Sequence, residues 1–256
     1  MEDGVVHASD EGTPQGGLVS PVLANIYLHY VLDLWFEKLF ARQCRGKAYL
    51  VRYADDFVAC FQLKEDADRY MAALVERLAS FNLEIEPTKT QLLRFGSFAE
   101  SMCKKEGLAK PATFNFLGFT HFVTRGRKGG FLVGRLTERK RVRRKLKDLN
   151  ERLRSLRKQG GKAMQEYAKR HADGHLQYYG ISGNYRGVKT YLHCVGRLLF
   201  KWLNRRSQRK SLNWDRFNEI LRQGRLLPKA RIVHNLYNFF PNRSGREGPE
   251  TGSRMV

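Results

Sequence analysis

The stretch Tyr53-Ala54-Asp55-Asp56 lies between two apolar runs, and the interpretation of the whole chain starts from it. Residues 48–53 and 57–61 are rich in aromatic and β-branched side chains, which predicts two strands joined by a tight turn. Two adjacent carboxylates in such a turn repel each other unless a cation is bound nearby. Hard oxygen ligands suit Mg²⁺, so the acidic pair is a candidate metal site for phosphoryl or nucleotidyl transfer. An ordinary solvated turn is the alternative.

Charge is distributed unevenly along the 256 residues. Residues 1–124 contain 13 Lys and Arg against 16 Asp and Glu, whereas residues 125–256 contain 34 against 9. The first part is therefore close to neutral, and the second part is a polycation. Such asymmetry predicts a polyanionic partner, most simply a nucleic acid. A membrane surface is the competing explanation, but no lipidation motif and no basic helix with a bulky aromatic face favours it.

The cysteines and the most apolar segment indicate a cytoplasmic protein. No two of the four cysteines have the spacing of a zinc or redox pair, so free thiols in a reducing compartment are expected. The most apolar segment, residues 22–36, is interrupted by polar residues and does not predict a membrane span.

A loop and a long helix are predicted ahead of the acidic turn. Residues 12–21 contain three glycines and two prolines, which is typical of a shaped loop. Ser20 can cap a helix and Pro21 suits its first position, so we expect a helix that runs to about residue 40. Backbone at such a loop can approach a phosphate or a base, and a plain helix cap is the alternative. The apolar face of this helix is predicted to be Val22, Leu23, Ile26, Tyr27, Tyr30, Val31, Leu34 and Trp35.

The segment after the turn predicts one helix and several strands. Residues 64–82 have helical spacing, and residues 83–86 and 91–95 read as two strands joined by a turn that contains Lys89. Lys89 is a candidate phosphate contact, with a solvated loop lysine as the alternative. Residues 96–112 read as a loop, and residues 114–123 read as one strand. Gly118 would interrupt its apolar face, either for close approach of a nucleic acid or as a β-bulge.

The basic part of the chain predicts helices that bind RNA. A Gly- and Arg/Lys-rich junction at residues 124–134 precedes a helix over 135–158, whose narrow leucine stripe leaves cations on its other faces. Further helices are expected over 163–179, 188–206 and 215–223. Aromatic and cationic residues alternate there, as stacking on RNA bases requires.

Several separated segments together resemble one family. Residues 12–25, 53–56, 86–90 and 114–119, in this order, resemble palm motifs of reverse transcriptases. The Tyr-Tyr-Gly-Ile segment at 178–181, with the residues up to Ser207, resembles the thumb and maturase region of bacterial group II intron-encoded proteins.

This resemblance implies an α+β fold. An antiparallel-sheet palm is expected at residues 1–124, followed by an all-α basic thumb/maturase domain at 125–240 and a disordered tail at 241–256.

The resemblance also implies roles for individual residues. Asp55 and Asp56 would be catalytic ligands of two Mg²⁺ ions. Gln15 and Gly16 would line the incoming deoxynucleoside triphosphate, and Lys89 would lie near the departing pyrophosphate. The residues implied to contact the primer or other nucleic acid are Phe116, Leu117, Gly118, Arg143, Arg144, Tyr179, Arg205 and Arg206.

The implied function is RNA-directed DNA synthesis combined with maturase action on a group II intron RNA, using an RNA template and a DNA primer. In this family a third metal-binding aspartate and a fingers region lie upstream of the Gly-rich loop. Asp3 and Asp10 do not lie in an apolar strand pattern. We therefore expect a fragment that needs an N-terminal half for synthesis. The alternatives are an inactive RNA-binding splicing factor, a decayed retroelement fragment, or another branch of reverse transcriptase.

Overall fold

The computed structural model describes residues 19–126, 129–205, 212–224 and 226–236. The chain divides into two compact units, with the division between Leu93 and Arg94. Helices and antiparallel strands occur together, as the α+β prediction requires. In the described part of the chain, no helix has both the length and the apolar character needed to cross a bilayer.

The first unit contains a long irregular helix, a hairpin and a second helix. Its elements are helix α1 (Ser20–Leu28), which continues through π-helical segments (His29–Asp33 and Phe36–Phe40) and a 3₁₀ turn (Ala41–Gln43), strands β1 (Ala48–Tyr53) and β2 (Asp56–Phe61), and helix α2 (Lys64–Ala79). The predicted hairpin is confirmed, with β2 beginning one residue earlier than expected.

The core of the first unit lies between the inner face of the hairpin and two helices. Leu50 and Phe61 pack from the strands against buried Phe36, Tyr70 and Leu74. Alternation along β1 places every second side chain towards this core, as in a half-buried strand.

The predicted long helix is present, but its apolar face is buried only beyond its first part. Val31 is buried as expected, but α1 itself has no buried residue. The predicted face residues that are instead exposed are Val22, Leu23, Ile26, Tyr27 and Tyr30. Spacing shows which side chains share a face, but burial also needs another element to cover that face. The N-cap is Val19, and Ser20 is the first helical residue, so the predicted cap position is also one residue late.

The predicted strand pair at 83–86 and 91–95 is not formed in the described residues. Both segments are without ladder pairing, and only the turn around Lys89 is present. Apolar alternation is compatible with a strand, but a strand also needs a hydrogen-bonding neighbour.

The second unit combines a three-stranded antiparallel sheet with a helical bundle. Its elements are α3 (Ala99–Lys105), β3 (Phe114–Phe116), β4 (Phe119–Arg125), β5 (Phe131–Thr137), α4 (Arg139–Leu156), α5 (Gly161–Tyr179), α6 (Tyr185–Asn204) and α7 (Trp214–Arg222). The sheet order is β3-β4-β5. Leu149 and Leu153 of α4 are fully buried against α5 and α6, so the leucine stripe is confirmed as the packing face.

Four predictions about the second unit are corrected. The run 114–123 is not one strand, because the chain reverses at Leu117-Gly118 and β3 pairs with β4. Strand β5 pairs with β4 over its whole length, so residues 125–240 are not all helical and the helix predicted from 135 begins at Arg139. Helix α3 lies within the segment predicted as a loop. The tail at 241–256 lies outside the described residues.

Candidate active site and nucleic-acid interface

The acidic turn is the tip of the β1–β2 hairpin. Tyr53 and Asp56 form the last pair of the ladder, and Ala54 and Asp55 make the two-residue turn between them. Ala54 has a φ of 53°, a left-handed conformation that two-residue hairpin turns use and that a non-glycine residue adopts at a cost of about 1–2 kcal/mol. The carboxylates of Asp55 and Asp56 are both exposed to solvent. The turn therefore presents two adjacent anionic side chains on a short, hydrogen-bonded support.

The carboxylate oxygens at the turn are a suitable ligand type for a divalent cation such as Mg²⁺, but only two side chains supply them. Exposed carboxylate oxygens are the ligands that Mg²⁺ accepts, and Mg²⁺ commonly keeps water and substrate phosphates as its remaining ligands. Within the described ranges, no group of three or more Asp, Glu, His or Cys side chains is close enough to hold a metal ion. Asp55 and Asp56 could thus hold a cation only together with water, substrate phosphates or other ligands.

Arg52 contacts the turn directly and is not among the residues predicted for the site. Its Nη1 donates to the carbonyl oxygen of Ala54 at 2.8 Å, and its other nitrogens bind Asp33. A sequence signal for this role exists. Arg52 has the same parity as Ala48 and Leu50, which face the core, and a charge on the buried face of a strand needs a partner.

Lys89 lies on an exposed turn of the same unit. The amides of Lys89 and Thr90 both donate to the carbonyl oxygen of Glu86 at 3.1 Å, which defines the turn. Hydrogen bonds from Thr88, with a smaller contribution from the charge of Lys89, lower the pKa of Glu86. The ammonium group of Lys89 is on the surface and open to a phosphate. Gln15 and Gly16 lie outside the described residues.

The three predicted primer-contact residues form a second tight turn. Leu117 and Gly118 have φ values of 49° and 76°, and Phe116 pairs with Phe119 on either side of them. Helix α5 and the N-cap residue of helix α4 hold this turn: the hydroxyl of Tyr178 donates to the carbonyl oxygen of Leu117 at 2.9 Å, and the amide of Glu138 donates to that of Gly118 at 3.0 Å.

Tyr178 and Tyr179 have different positions beside this turn. Tyr179 is only 3% exposed and belongs to the core, so it supports Gly118 from within. Tyr178 is 52% exposed and its ring lies parallel to that of Phe119, at a centroid distance of 5.8 Å. Tyr178 is therefore the aromatic side chain here that is open to a base, although it is not among the predicted site residues.

The outer face of helix α4 is strongly cationic. Arg143 and Arg144 are exposed as predicted, and burial together with the charges of Arg141 and Arg144 lowers the pKa of Lys145. Its other exposed cationic residues are Arg139, Lys140, Arg141, Lys147, Arg152 and Arg154. Because like charges repel, such a face is stabilised by a polyanion.

Arg205 is exposed at the end of helix α6. Its guanidinium lies 5.6 Å from the ring centroid of Trp202, a cation–π contact. Arg206 lies outside the described residues.

Comparison with known proteins gives one family match. Residues 2–121 match the family model described as reverse transcriptase (RNA-dependent DNA polymerase). A search among curated proteins returned no match. The matched range includes the β1–β2 hairpin, Lys89 and the turn at 116–119. The acidic turn at Asp55 and Asp56 therefore lies inside a segment that is similar to a reverse transcriptase domain.

Proposed function

We propose that this chain belongs to an RNA-directed DNA polymerase and that Asp55 and Asp56 are its metal ligands. The observation that supports this most strongly is the pair of exposed carboxylates at the tip of an antiparallel hairpin, within the range that matches the reverse transcriptase family. The reaction is the attack of a primer 3′-hydroxyl on a deoxynucleoside triphosphate with release of pyrophosphate.

The two carboxylates and Lys89 would have different roles in binding the triphosphate. When bound, Mg²⁺ would neutralise negative charge on the triphosphate. Asp55 and Asp56 would hold the cation, and Lys89 would place its ammonium group near the departing pyrophosphate. Gln15 and Gly16 would line the nucleotide.

The turn at residues 116–118 would support the primer end. Its backbone is fixed by bonds to Tyr178 and Glu138, which favours a defined surface rather than a loose loop. The exposed ring of Tyr178 adds a surface on which a base or sugar could pack.

DNA synthesis would need a further carboxylate in addition to the two at the turn. Two adjacent ligands are few for a two-metal site, and the described residues offer no third. The exposed apolar side chains of helix α1 are consistent with a further segment that covers this unit. An N-terminal half with the third aspartate and the fingers would supply both.

We further propose that the second unit binds RNA as the thumb and maturase region of a group II intron protein acting in the cytoplasm. The exposed cations of helix α4, with Arg143 and Arg144 among them, suit an RNA backbone. Template, primer and intron RNA are its expected partners. A splicing factor that binds RNA but does not synthesise DNA is the second candidate, favoured by the presence of only two carboxylates at the turn.

Primer extension on an RNA template tests the polymerase proposal. The purified chain is compared with Asp55→Ala, and with Asp68→Asn as a control at an exposed aspartate on α2. Mg²⁺-dependent extension that disappears in Asp55→Ala and is kept in Asp68→Asn would support polymerase activity. Tight RNA binding without extension by the unchanged chain would be expected both for a polymerase that needs the N-terminal half and for the splicing-factor candidate, and metal binding at Asp55 and Asp56 would then distinguish the two. Extension that survives Asp55→Ala would contradict the assignment of the site.

A further inference from the structure

Arg52 connects three parts of the first unit through one guanidinium group. Its Nε and Nη2 donate to the two carboxylate oxygens of Asp33 at 2.8 and 2.7 Å. Its Nη1 donates to Oδ1 of Asn25 at 2.9 Å and to the carbonyl oxygen of Ala54 at 2.8 Å. The long helix and the hairpin turn are thus joined by a single side chain.

The bond to the turn is made from a guanidinium that is already held in orientation. The two parallel bonds to Asp33 form a bidentate, charge-assisted pair, which is the strongest common class of side-chain hydrogen bond. The side chain of Arg52 is only 11% exposed, so solvent competes little for these donors. The same bonds lower the pKa of Asp33, which keeps that carboxylate ionised. The direction of Nη1 towards the Ala54 carbonyl is therefore fixed by the pair.

The helix side of the network has an unusual geometry of its own. Asp33 is the last residue of a π-helical segment, and π-helical turns are rare and occur often at functional sites. Asn25 is anchored in turn, because its Nδ2 donates to the carbonyl oxygen of Pro21 at 3.0 Å. The network therefore extends from the start of helix α1 to the residue that immediately precedes Asp55.

The position that Arg52 contacts is the conformationally costly one. Ala54 adopts a positive φ, and relaxation of this residue would redirect the two following carboxylates. A hydrogen bond to its carbonyl opposes that relaxation.

We propose that Arg52 is a positioning residue that fixes the Ala54 turn and so holds Asp55 and Asp56 in the arrangement that binds the metal. That the turn binds a metal rests on the polymerase proposal; the link from Arg52 to the turn stands on the geometry alone. The competing role for Arg52 is structural, with a contribution to folding stability and none to the turn.

Arg52→Lys and a matched control distinguish these roles. Lysine keeps the positive charge and can pair with Asp33, but it lacks the fork that contacts Asp33 and Ala54 together. Arg77→Lys is the control, because Arg77 donates to the carbonyl oxygens of Val31 and Tyr30 on the same helix and not to the turn. Asp33→Asn serves if Arg52→Lys does not fold, since it weakens the anchor and leaves Arg52 in place.

The measurement is NMR of the backbone amides of Ala54, Asp55 and Asp56 in the full chain, with and without Mn²⁺ as a paramagnetic probe. We expect Arg52→Lys, but not Arg77→Lys, to shift these amides. We also expect the Mn²⁺ concentration needed to broaden them to rise by about 10- to 100-fold, as for other residues that orient metal ligands. Asp33→Asn should change both in the same direction.

The outcomes separate this inference from the polymerase proposal. Turn amides that stay unchanged in Arg52→Lys, or that shift equally in Arg77→Lys, would overturn the positioning role whatever the metal does. Turn amides that shift only in Arg52→Lys, in a chain whose turn Mn²⁺ does not broaden, would support the link from Arg52 to the turn. The absence of Mn²⁺ broadening would, separately, reject the turn as a metal site and with it the metal-binding part of the polymerase proposal.

Discussion

The imidazole ring of His175 lies flat against the ring of Tyr191, with centroids 3.5 Å apart and planes 11° apart. Tyr179 packs near the same imidazole at a centroid distance of 4.5 Å. His175 is fully buried, and neither ring nitrogen has a hydrogen-bond partner among the described residues. Burial, followed by the charges of Lys145 and His171, lowers the pKa of His175 to about 3. The helical core thus contains a histidine that stays neutral.

His175 should make the stability of the chain depend on pH. Between about pH 6.5 and pH 3 His175 is protonated in the unfolded chain and not in the folded chain. The contribution of neutral His175 to the free energy of unfolding is therefore complete above about pH 6.5, and it falls by up to about 1.4 kcal/mol per pH unit on acidification. His175→Phe keeps the ring stack and removes the titration. Urea unfolding at pH 7 and pH 5 should show a smaller loss of stability for His175→Phe than for the unchanged chain. His193→Phe, at an exposed position, is the control, and equal losses in all three proteins would contradict the prediction.

Gly118→Ala should destabilise the second unit more than a glycine substitution of the same backbone type elsewhere. A Cβ at Gly118 would lie 2.9 Å from the Tyr179 hydroxyl and 3.2 Å from Cδ of Arg141, at a φ of 76°. Gly107 has a similar φ of 71° and nothing within 4 Å of its Cβ position, so Gly107→Ala measures the backbone cost alone, about 1–2 kcal/mol.

Chemical denaturation of the two variants gives the steric cost at Gly118 as their difference. Adding Tyr179→Phe to Gly118→Ala removes the hydroxyl and should recover part of that difference. A Gly118→Ala variant as stable as Gly107→Ala would show that the turn is not held against helix α5.

Asn184→Ala should weaken the attachment of strand β5 to the helices. The Oδ1 of Asn184 accepts from the amide of Thr137 at 3.0 Å, and its Nδ2 donates to Oγ1 of Thr137 and to the carbonyl oxygen of Tyr179, both at 2.8 Å. Asn184 is fully buried, so its removal leaves these partners without a hydrogen bond and without water to replace it. The free energy of unfolding should fall by about 2–3 kcal/mol. Asn115→Ala removes an exposed bond to Thr120 and should cost much less in the same thermal or urea unfolding measurement. Similar costs for the two variants would contradict the prediction.

RNA binding by the chain should depend strongly on salt through helix α4. Arg143→Gln combined with Arg144→Gln should lower the slope of log affinity against log salt concentration by roughly 0.7 for each phosphate of single-stranded RNA that the helix no longer neutralises. Arg94→Gln is the control, because Arg94 is already paired with Glu106. Filter binding across a salt series measures the slopes. An affinity that stays flat with salt, or an equal change in the control, would contradict an electrostatic role for α4.

Local sequence patterns correctly predicted features that depend on a single helix or strand. Strand β1 has the predicted bounds, and the leucine stripe of α4 faces the core, because alternation and helical spacing act within one element. The first part of the long helix shows the limit of such patterns: Ile26 and Tyr30 share the predicted face yet remain exposed.

The remaining differences come from turns and from contacts distant in sequence. Gly118 can mark either a close approach within a strand or a turn between strands, and only the positive φ of Leu117 and Gly118 distinguishes the two. Alternation along β1 shows from the sequence that Arg52 lies on the inner face of the strand. Its partners Asp33 and Asn25 could not be predicted, because the contact between helix and hairpin is a tertiary contact that no local pattern indicates.

Iron-mediated cleavage of the folded chain tests the metal-binding role of the acidic turn most directly. Fe²⁺ substitutes for Mg²⁺ at carboxylate sites, and hydroxyl radicals produced with ascorbate and peroxide cut the backbone next to the bound ion. We expect cleavage close to Asp55 and Asp56, suppressed by excess Mg²⁺ and abolished in Asp55→Asn but not in Asp68→Asn. Cleavage that survives Asp55→Asn, or that occurs only at other positions, would contradict the assignment of the acidic turn as the metal-binding centre.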